Sequence, residues 1–135
     1  MAQWLVKEEP DNYSFDRLEQ DGKTVWAGVK NPLAQKHLRS IRKGDRIFYY
    51  HTGKQKAVVG IARAIGDAYP DPAQASGRFY VVDVAPEKKL AKAVTLASIK
   101  AEGAFSTFPL VRMSRLSVMP VTDAEWTAIE KMSRS

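Results

Sequence analysis

The sequence predicts an α+β fold: a small, mostly antiparallel barrel or curled sheet of about five or six strands with short flanking helices. Short runs of aromatic and β-branched residues are bounded by turn residues, and helix-capping signals interrupt them irregularly. A regular strand–helix–strand alternation, the sign of a parallel sheet, is missing from the pattern. With 135 residues, 44% of them hydrophobic, the chain has the size and the apolar content of one domain spanning residues 1–135.

Strands are expected where β-favouring side chains cluster. Such runs occupy residues 4–6, 46–52, 57–65, 78–84 and 115–121. The turn residues at positions 53–56 separate the second and third runs, so these two predict an antiparallel hairpin. Pro120 limits the last run to an edge or an end of the sheet.

Helices are expected after residues whose side chains cap a first turn. Ser14 precedes a short helix that ends before Gly22, and Thr95 precedes another over residues 96–100. Asn31-Pro32 opens a basic amphipathic helix that we expect to run to Gly44. Thr122 and Glu125 form a capping box at the start of a terminal helix. Residues 103–112 fit neither pattern.

The charge balance favours a polyanionic partner. Twenty-one Lys and Arg against 15 Asp and Glu give a net charge of +6, and phosphate binding by such a surface gains from counterion release. The chain has no cysteine, which excludes disulfides and cysteine-ligated metals. The first ten residues do not resemble a signal peptide, and no apolar run is long enough to span a membrane, so we expect a cytoplasmic protein without membrane contact.

Motifs for catalysis are not found. His37 and His51 lack the spacing of metal ligands, and the glycines form neither a phosphate loop nor a dinucleotide motif. Glu8 and Glu9 are adjacent, so at most one of them faces a given pocket, and both are expected to be solvated surface acids. The sequence therefore predicts no catalytic residue, no metal site and no cofactor.

A planar ligand is suggested by aromatic residues next to small and polar ones. Trp26 precedes Gly28 and Asn31, a combination that suits a slot for a base whose edge the amide can read. Tyr50 and His51 add flat surface at the end of a strand, and a base stacked on such a ring gains about 1–3 kcal/mol. The alternatives are a core role for Trp26 and a structural role for His51.

Several separated segments, in a fixed order from Trp4 to Trp126, resemble one family. They read WLVKEEPDNYSFDRL, VWAGVKNPLAQKHLRSIRKGD, FYYHTGKQKAVVGIARA, AYPDP and SRLSVMPVTDAEW. The chain is similar in these segments to the EVE domain, a member of the PUA-like group that includes the thymocyte nuclear protein family and is related to YTH and ASCH domains. The resemblance implies a PUA-like barrel that binds a modified base in DNA or RNA without catalysis.

The resemblance also implies a set of ligand-binding positions. Four short segments of the chain match motifs of the family. The matching positions are Lys7, Glu9, Pro10, Asp11, Trp26, Gly28, Val29, Asn31, Tyr50, His51, Thr52, Arg115, Leu116 and Ser117. The chain departs from the family pattern at Ala27, where Asp is common, at Lys30, where Arg is common, and at Pro32, where an aromatic residue is common. Lysine cannot form the bidentate contact that arginine forms, so ligand preference is expected to differ.

These positions lead to a specific hypothesis. Trp26 stacks on the base and Tyr50 closes the slot, while Asn31 and Thr52 read the polar edge beside the backbone of Gly28 and Val29. Lys7 or Arg115 holds a phosphate or a carbonyl oxygen, and His51 and Ser117 complete the expected ligand-binding set. The backbone-positioning cations are Lys36, Arg39, Arg42 and Lys43. The alternatives are a solvated helix face for these four cations and an ion pair of Arg115 with Glu9 or Asp11.

Two other functions remain open from the sequence. The first is an enzyme acting on a nucleotide or modified base, with Glu9 or His51 as the acid–base group. The second is a sensor of a small heterocyclic or anionic metabolite that binds no polymer. The sequence does not decide between DNA and RNA, and it does not indicate the oligomeric state.

Overall fold

The computed structural model describes residues 2–74 and 76–134. Met1, Ala75 and Ser135, which the predicted domain of residues 1–135 includes, lie outside the described residues. The strands are β1 (Gln3–Glu8), β2 (Thr24–Trp26), β3 (Arg46–His51), β4 (Ala57–Ala64), β5 (Tyr69–Pro70), β6 (Tyr80–Thr95) and β7 (Val118–Pro120). The helices are α1 (Pro10–Tyr13), α2 (Phe15–Asp21), α3 (Pro32–Arg39), α4 (Leu96–Ala101), α5 (Pro109–Arg112) and α6 (Asp123–Met132), with a 3₁₀ turn at Gly103–Phe105.

The strands form one mixed sheet in the order β2-β6-β4-β3-β1-β7, and β5 pairs with β6 beside this path. β1 and β3 are parallel, and the other described pairs are antiparallel. This confirms the α+β class and the mostly antiparallel sheet.

The sheet curls into a half-barrel. Trp26 on β2 and Tyr49 on β3 lie three strands apart, which in a flat sheet would separate their backbones by about 14 Å. Their ring centroids are nevertheless 5.4 Å apart. Gly60 on β4 contributes to this packing, because the Phe15 ring lies where a side chain would stand: an added Cβ would be 2.5 Å from Phe15 Cζ.

The other face of the sheet is covered by α6. Phe48 stacks on Trp126 with 3.6 Å between the ring centroids and an interplanar angle of 15°. Side chains of successive strand residues point to opposite faces of a sheet. Phe48 and Tyr50 therefore lie on the face that α6 covers, and Tyr49 and His51 point into the barrel.

Several predicted local signals are confirmed. β3 and β4 form the expected hairpin. Ser14 caps α2, whose C-terminus ends at Gly22 with φ of 81°, and Thr95 caps α4. The capping box of Thr122 and Glu125 opens α6. Over the described residues, none of the helices combines the length and apolar character that crossing a bilayer requires.

Several boundaries differ from the prediction, and three of the differences are larger than two residues. α3 ends at Arg39 rather than near Gly44, because i→i+3 bonds tighten its last turn and bury Ile41. β6 continues to Thr95, and an extra residue between its Pro86 and Lys88 places the proline at a register shift. β7 is only three residues long, and residues 115–117 before it are not in a strand.

Candidate nucleic-acid interface

The two rings of the predicted slot, Trp26 and Tyr50, lie on opposite faces of the sheet. Tyr49, which contacts Trp26 in an edge-to-face arrangement, points into the barrel. Tyr50 points the other way, where the Lys7 ammonium lies 5.8 Å from the centre of its ring. Trp26 and Tyr50 therefore cannot close on one base, and this part of the hypothesis needs correction.

Trp26 is a core residue in this conformation. Its side chain is 6% exposed, and its ring meets Tyr49 at an interplanar angle of 82°. With Phe15 and His51, which also contact Tyr49, these residues form what we call the ring cluster. A base can stack on Trp26 only if neighbouring side chains move, so the structure places Trp26 in the core alternative.

His51 is held by the protein through both ring nitrogens. Its Nε2 accepts from the Phe15 N–H at 3.1 Å, and its Nδ1 lies 2.7 Å from Gln55 Oε1. Because Nε2 is the acceptor, Nδ1 carries the proton that Gln55 accepts. The imidazole thus joins the start of α2 to the end of β3, and neither nitrogen is left for a ligand or for acid–base chemistry.

Two other predicted edge-reading residues differ in availability. Asn31 Oδ1 accepts from the Ala34 N–H at 3.0 Å, so the side chain caps α3 and only its exposed Nδ2 remains for a ligand. Thr52 Oγ1 is buried and has no hydrogen-bond partner among residues 2–74 and 76–134. The Thr52 hydroxyl is therefore unpaired, but its burial keeps it from a ligand in this conformation, and the Thr52 N–H donates to the Glu8 carbonyl.

Lys7 attaches β1 to the segment before β7. Its ammonium donates to the Ser114 carbonyl at 2.9 Å, and its backbone N–H donates to the Ser117 carbonyl at 2.9 Å. Burial lowers the pKa of Lys7. Within the described part of the chain Lys7 has no carboxylate in salt-bridge range, so its charge is balanced only by a carbonyl dipole and the Tyr50 ring.

A cavity of about 370 Å³ lies next to this attachment. It is lined by Asn31, Leu33, Arg112, Met113, Ser114, Arg115 and Leu116, and we call it the Arg115 cleft. It brings together two predicted residues, Asn31 and Arg115. Arg115 is exposed, and no salt bridge to Glu9 or Asp11 is seen among the described residues, so the structure does not support the ion-pair alternative.

A second cavity, of about 410 Å³, lies on the other side of the start of α3. It is lined by Lys30, Pro32, Gln35, Arg39, Gly77, Arg78 and Phe79, and we call it the Phe79 groove. The Phe79 ring is half-buried. The Arg39 guanidinium lies 5.0 Å from the centre of the Tyr80 ring and donates to the Arg78 carbonyl. A half-buried apolar ring thus shares its groove with the cationic residues Lys30, Arg39 and Arg78.

The wall of the groove is fixed by Gln35. This buried amide donates to the Val29 carbonyl at 2.6 Å and accepts from the Tyr80 N–H at 2.8 Å, so it joins the segment before α3 to β6. Gly28 and Val29 line a small adjoining cavity of about 20 Å³ with Asp71, Gln74 and Phe79. Gly28 has φ of +80°, which favours glycine there for conformation.

The four predicted backbone-positioning cations lie on α3 and directly after it. Of these, Arg39 lines the Phe79 groove, and Lys36 is exposed elsewhere on α3. Because α3 ends early, Arg42 and Lys43 follow the helix, where the Arg42 guanidinium donates to the Arg39 carbonyl at 2.8 Å.

Sequence reasoning missed the residues that give both cavities their character: Arg78, Phe79, Arg112, Met113 and Ser114. Residues 78 and 79 were assigned to a strand that begins only at Tyr80. The neighbouring cation and aromatic ring, directly after the turn at Ser76-Gly77, are the signal that could have identified them.

Comparison with known proteins agrees with this architecture. The model of the EVE domain matches residues 2–132. Human thymocyte nuclear protein 1 is 26% identical over 159 residues, which cover 93% of this chain and 71% of that protein. An NMR structure of a Rhodopseudomonas palustris protein has a TM-score of 0.95 and 46% identity, covering 99% of this chain and 94% of that one.

A further structure has the same fold at lower identity. The crystal structure of human THYN1 in complex with DNA containing 5-methylcytosine has a TM-score of 0.92 and 24% identity, with 100% of this chain and 99% of that chain covered. The match of the domain model over nearly the whole chain and the 46% identity to the bacterial structure show that the chain belongs to the EVE-domain family.

Proposed function

We propose that this protein binds nucleic acid and reads a modified base, which it holds in the Phe79 groove without transforming it. The observation that carries the proposal is that Lys30, Arg39 and Arg78 line the same groove as the half-buried Phe79 ring. Aromatic rings bind any base by stacking, and cations beside them bind the phosphates that flank it. The net charge of +6 and the complex of human THYN1 with methylated DNA support the same partner class.

The groove has the dimensions that a base needs. Its volume of about 410 Å³ is within the usual range of small-ligand sites. Asp71, in the adjoining cavity, has a carboxylate that accepts from the Ala73 N–H at 2.9 Å and retains further acceptor capacity. A carboxylate at this position favours a base with an exocyclic amino group, such as cytosine or adenine.

The Arg115 cleft supplies the backbone contacts in this proposal. Arg112 and Arg115 are exposed there, and no salt bridge occupies either of them within the described residues. Asn31 lines the cleft, and its chain neighbours Lys30 and Pro32 line the Phe79 groove. Lys7 holds the wall of the cleft, because its ammonium donates to the Ser114 carbonyl and its N–H donates to the Ser117 carbonyl. Phosphates on either side of the bound base then meet cations of both cavities.

Replacing Phe79 tests the groove. In Phe79→Ala we expect the affinity for a 5-methylcytosine oligonucleotide to fall roughly 5- to 100-fold, the equivalent of losing a stacking contact of about 1–3 kcal/mol. Because the base is then no longer held in the groove, the preference for the modified oligonucleotide over the unmodified one should be lost as well. Fluorescence anisotropy with single-stranded and duplex oligonucleotides measures this preference at one fixed salt concentration, and repeating the titration over a series of salt concentrations measures the salt dependence.

Two matched variants separate stacking from charge. Phe79→Trp keeps a flat ring and should retain the preference, whereas Arg78→Ala should weaken both oligonucleotides alike and reduce the salt dependence by about one phosphate contact. If the wild-type protein binds modified and unmodified oligonucleotides equally, with only a salt-dependent affinity, the base-reading proposal is wrong.

The same titration addresses the two other functions. A metabolite sensor would bind the free nucleoside as tightly as the oligonucleotide and would lack the salt dependence. An enzyme using His51 is disfavoured by the two hydrogen bonds that already occupy its ring. Glu9 is exposed and its carbonyl accepts from α1, so nothing directs its carboxylate into either cavity.

A further inference from the structure

We propose that Met113 is an apolar wedge that enters a nucleic-acid duplex and fills the gap left when the modified base moves into the Phe79 groove. This inference rests on the proposed function and specifies its partner as a duplex from which one base is displaced. A displaced base leaves its neighbours unstacked, which costs free energy. DNA-bending proteins offset this unstacking free energy by inserting side chains such as Met, Leu or Phe between the bases.

Met113 is exposed although it is large and apolar. Its side chain is 43% exposed, and Val25, at 50%, is the other large hydrophobic residue so exposed among the described residues. A single exposed apolar side chain is ordinary on a protein surface. Met113 differs from Val25 in its surroundings, because it lines the Arg115 cleft together with the exposed cations Arg112 and Arg115.

The backbone that presents Met113 is firmly held. Its N–H donates to the Pro109 carbonyl at 2.7 Å, and its carbonyl accepts from the Leu116 N–H at 3.0 Å. Ser114, the next residue, is fixed by the Lys7 ammonium at 2.9 Å. An apolar side chain on a fixed turn is preorganised for insertion, since little backbone freedom is lost when it binds.

The position of Met113 relative to the groove fits a wedge. Lys30 and Pro32 line the Phe79 groove, and Asn31 between them lines the Arg115 cleft. A strand that places one base in the groove therefore passes over Asn31 and reaches Met113 next. The exposed arginines that line the cleft with Met113 supply positive charge for the phosphates beside a base step, so the partner that this surface fits is a nucleic acid.

Met113→Ala tests the wedge with three probes of one sequence: a duplex containing 5-methylcytosine, the same modified single strand, and the modified duplex with an abasic site opposite the modification. We expect affinity for the intact duplex to fall roughly fivefold or more, since the unstacked neighbours lose their apolar contact. Affinity for the single strand should change less than about twofold, since it has no stack to fill. The loss of affinity for the abasic duplex should lie between these two values.

Val25→Ala is the control, because it removes the other exposed apolar side chain at a site away from both cavities. It should leave binding of all three probes unchanged. In the wild-type complex, 2-aminopurine next to the modified base should brighten, and in Met113→Ala it should brighten less.

The outcomes separate this inference from the proposed function. A wild-type preference for modified single strands, with equal losses on single strand and duplex in Met113→Ala, overturns the wedge and leaves base reading intact. Unchanged duplex binding in Met113→Ala, or a wild-type protein that binds only single strands, also overturns it. Absence of any preference for the modification overturns the proposed function first and the wedge with it.

Discussion

The ring cluster and the two cavities at the start of α3 both contain aromatic and polar side chains. They differ in whether these side chains already have partners within the protein. In the ring cluster, the Tyr49 hydroxyl donates to the Tyr13 carbonyl, and both His51 nitrogens are hydrogen-bonded. In the cavities, Phe79 is half-buried, Met113 is exposed and Arg115 has no salt bridge within the described residues. The first set is internally satisfied, and the second is available to a ligand.

The difference shows that aromatic density along the sequence is a poor guide to a binding surface. Residues 47–51 are the most aromatic stretch of the chain, and their side chains are buried on both faces of β3. The available ring, Phe79, stands in a loop beside arginine and is less conspicuous. Buried rings maintain the curl of the sheet, which in turn positions the loops that carry the cations.

Trp26→Ala should show the difference in stability between the ring cluster and the cavities most clearly. Removing a large buried ring usually costs about 3–5 kcal/mol of unfolding free energy, and the edge-to-face contact with Tyr49 is lost as well. Phe79→Ala, which removes a half-buried ring, should cost much less. Urea unfolding of both variants measures the contrast.

The opposite ranking would contradict the core role of Trp26. If Trp26→Ala retains nearly all of its stability and loses the preference for a modified base, then the indole is a ligand-stacking ring after all. Binding is compared at a temperature and urea concentration where both variants remain folded.

His51→Leu addresses the smaller contribution of the hydrogen bonds. The substitution keeps an apolar side chain in the cluster but leaves the Phe15 N–H buried without its acceptor, which should cost about 1–3 kcal/mol. Gln55→Ala is the matched control, because it removes only the more exposed of the two partners and should cost less. Reduced affinity of folded His51→Leu for the modified oligonucleotide would show that the imidazole contacts the ligand.

Local signals in the sequence predicted local structure well, and long-range packing decided the rest. Ser14 and Thr122 each cap a helix through atoms within three residues, so their spacing alone was sufficient. The end of α3 depends instead on Asp45, whose carboxylate accepts from the Arg42 N–H and from Trp4 Nε1 at the far end of the chain. No pattern confined to residues 31–44 contains that information.

The residues of the candidate site likewise divide into those that local motifs predicted and those that only long-range packing brings into place. The positions of Asn31, Gly28 and Arg115 followed from motifs, and they do line the cavities. The motifs could not reveal that Trp26 and Tyr50 lie on opposite faces, because this depends on the pairing of β2 with β6 and on the curl of the whole sheet. Phe79 and Met113 enter the site through folded loops that bring residues 28–32 next to residues 77–79 and 112–116.

Tyr49→Phe should give the smallest effect and the one that depends on pH. Burial chiefly, and then the charge of Glu8, raises the pKa of Tyr49 far above its usual value. The folded protein therefore keeps this proton above about pH 10, where the unfolded chain releases it, so stability decreases with rising pH by up to about 1.4 kcal/mol per unit. At pH 8 the variant should be less stable by about 1 kcal/mol, because the bond to Tyr13 is lost.

By pH 11 this difference should have closed, since phenylalanine has no proton to lose in the unfolded state. Urea unfolding at the two pH values measures it. Tyr69→Phe is the comparison variant. The hydrogen bond to Asp83 is the main cause that raises the pKa of Tyr69, but this side chain is only half-buried, so solvent screens the interaction. The stability difference for Tyr69→Phe should therefore change less between the two pH values than that for Tyr49→Phe. A stability difference for Tyr49→Phe that stays constant from pH 8 to pH 11 would mean that the phenol reaches water in the folded state, and the ring cluster would then be open to a ligand.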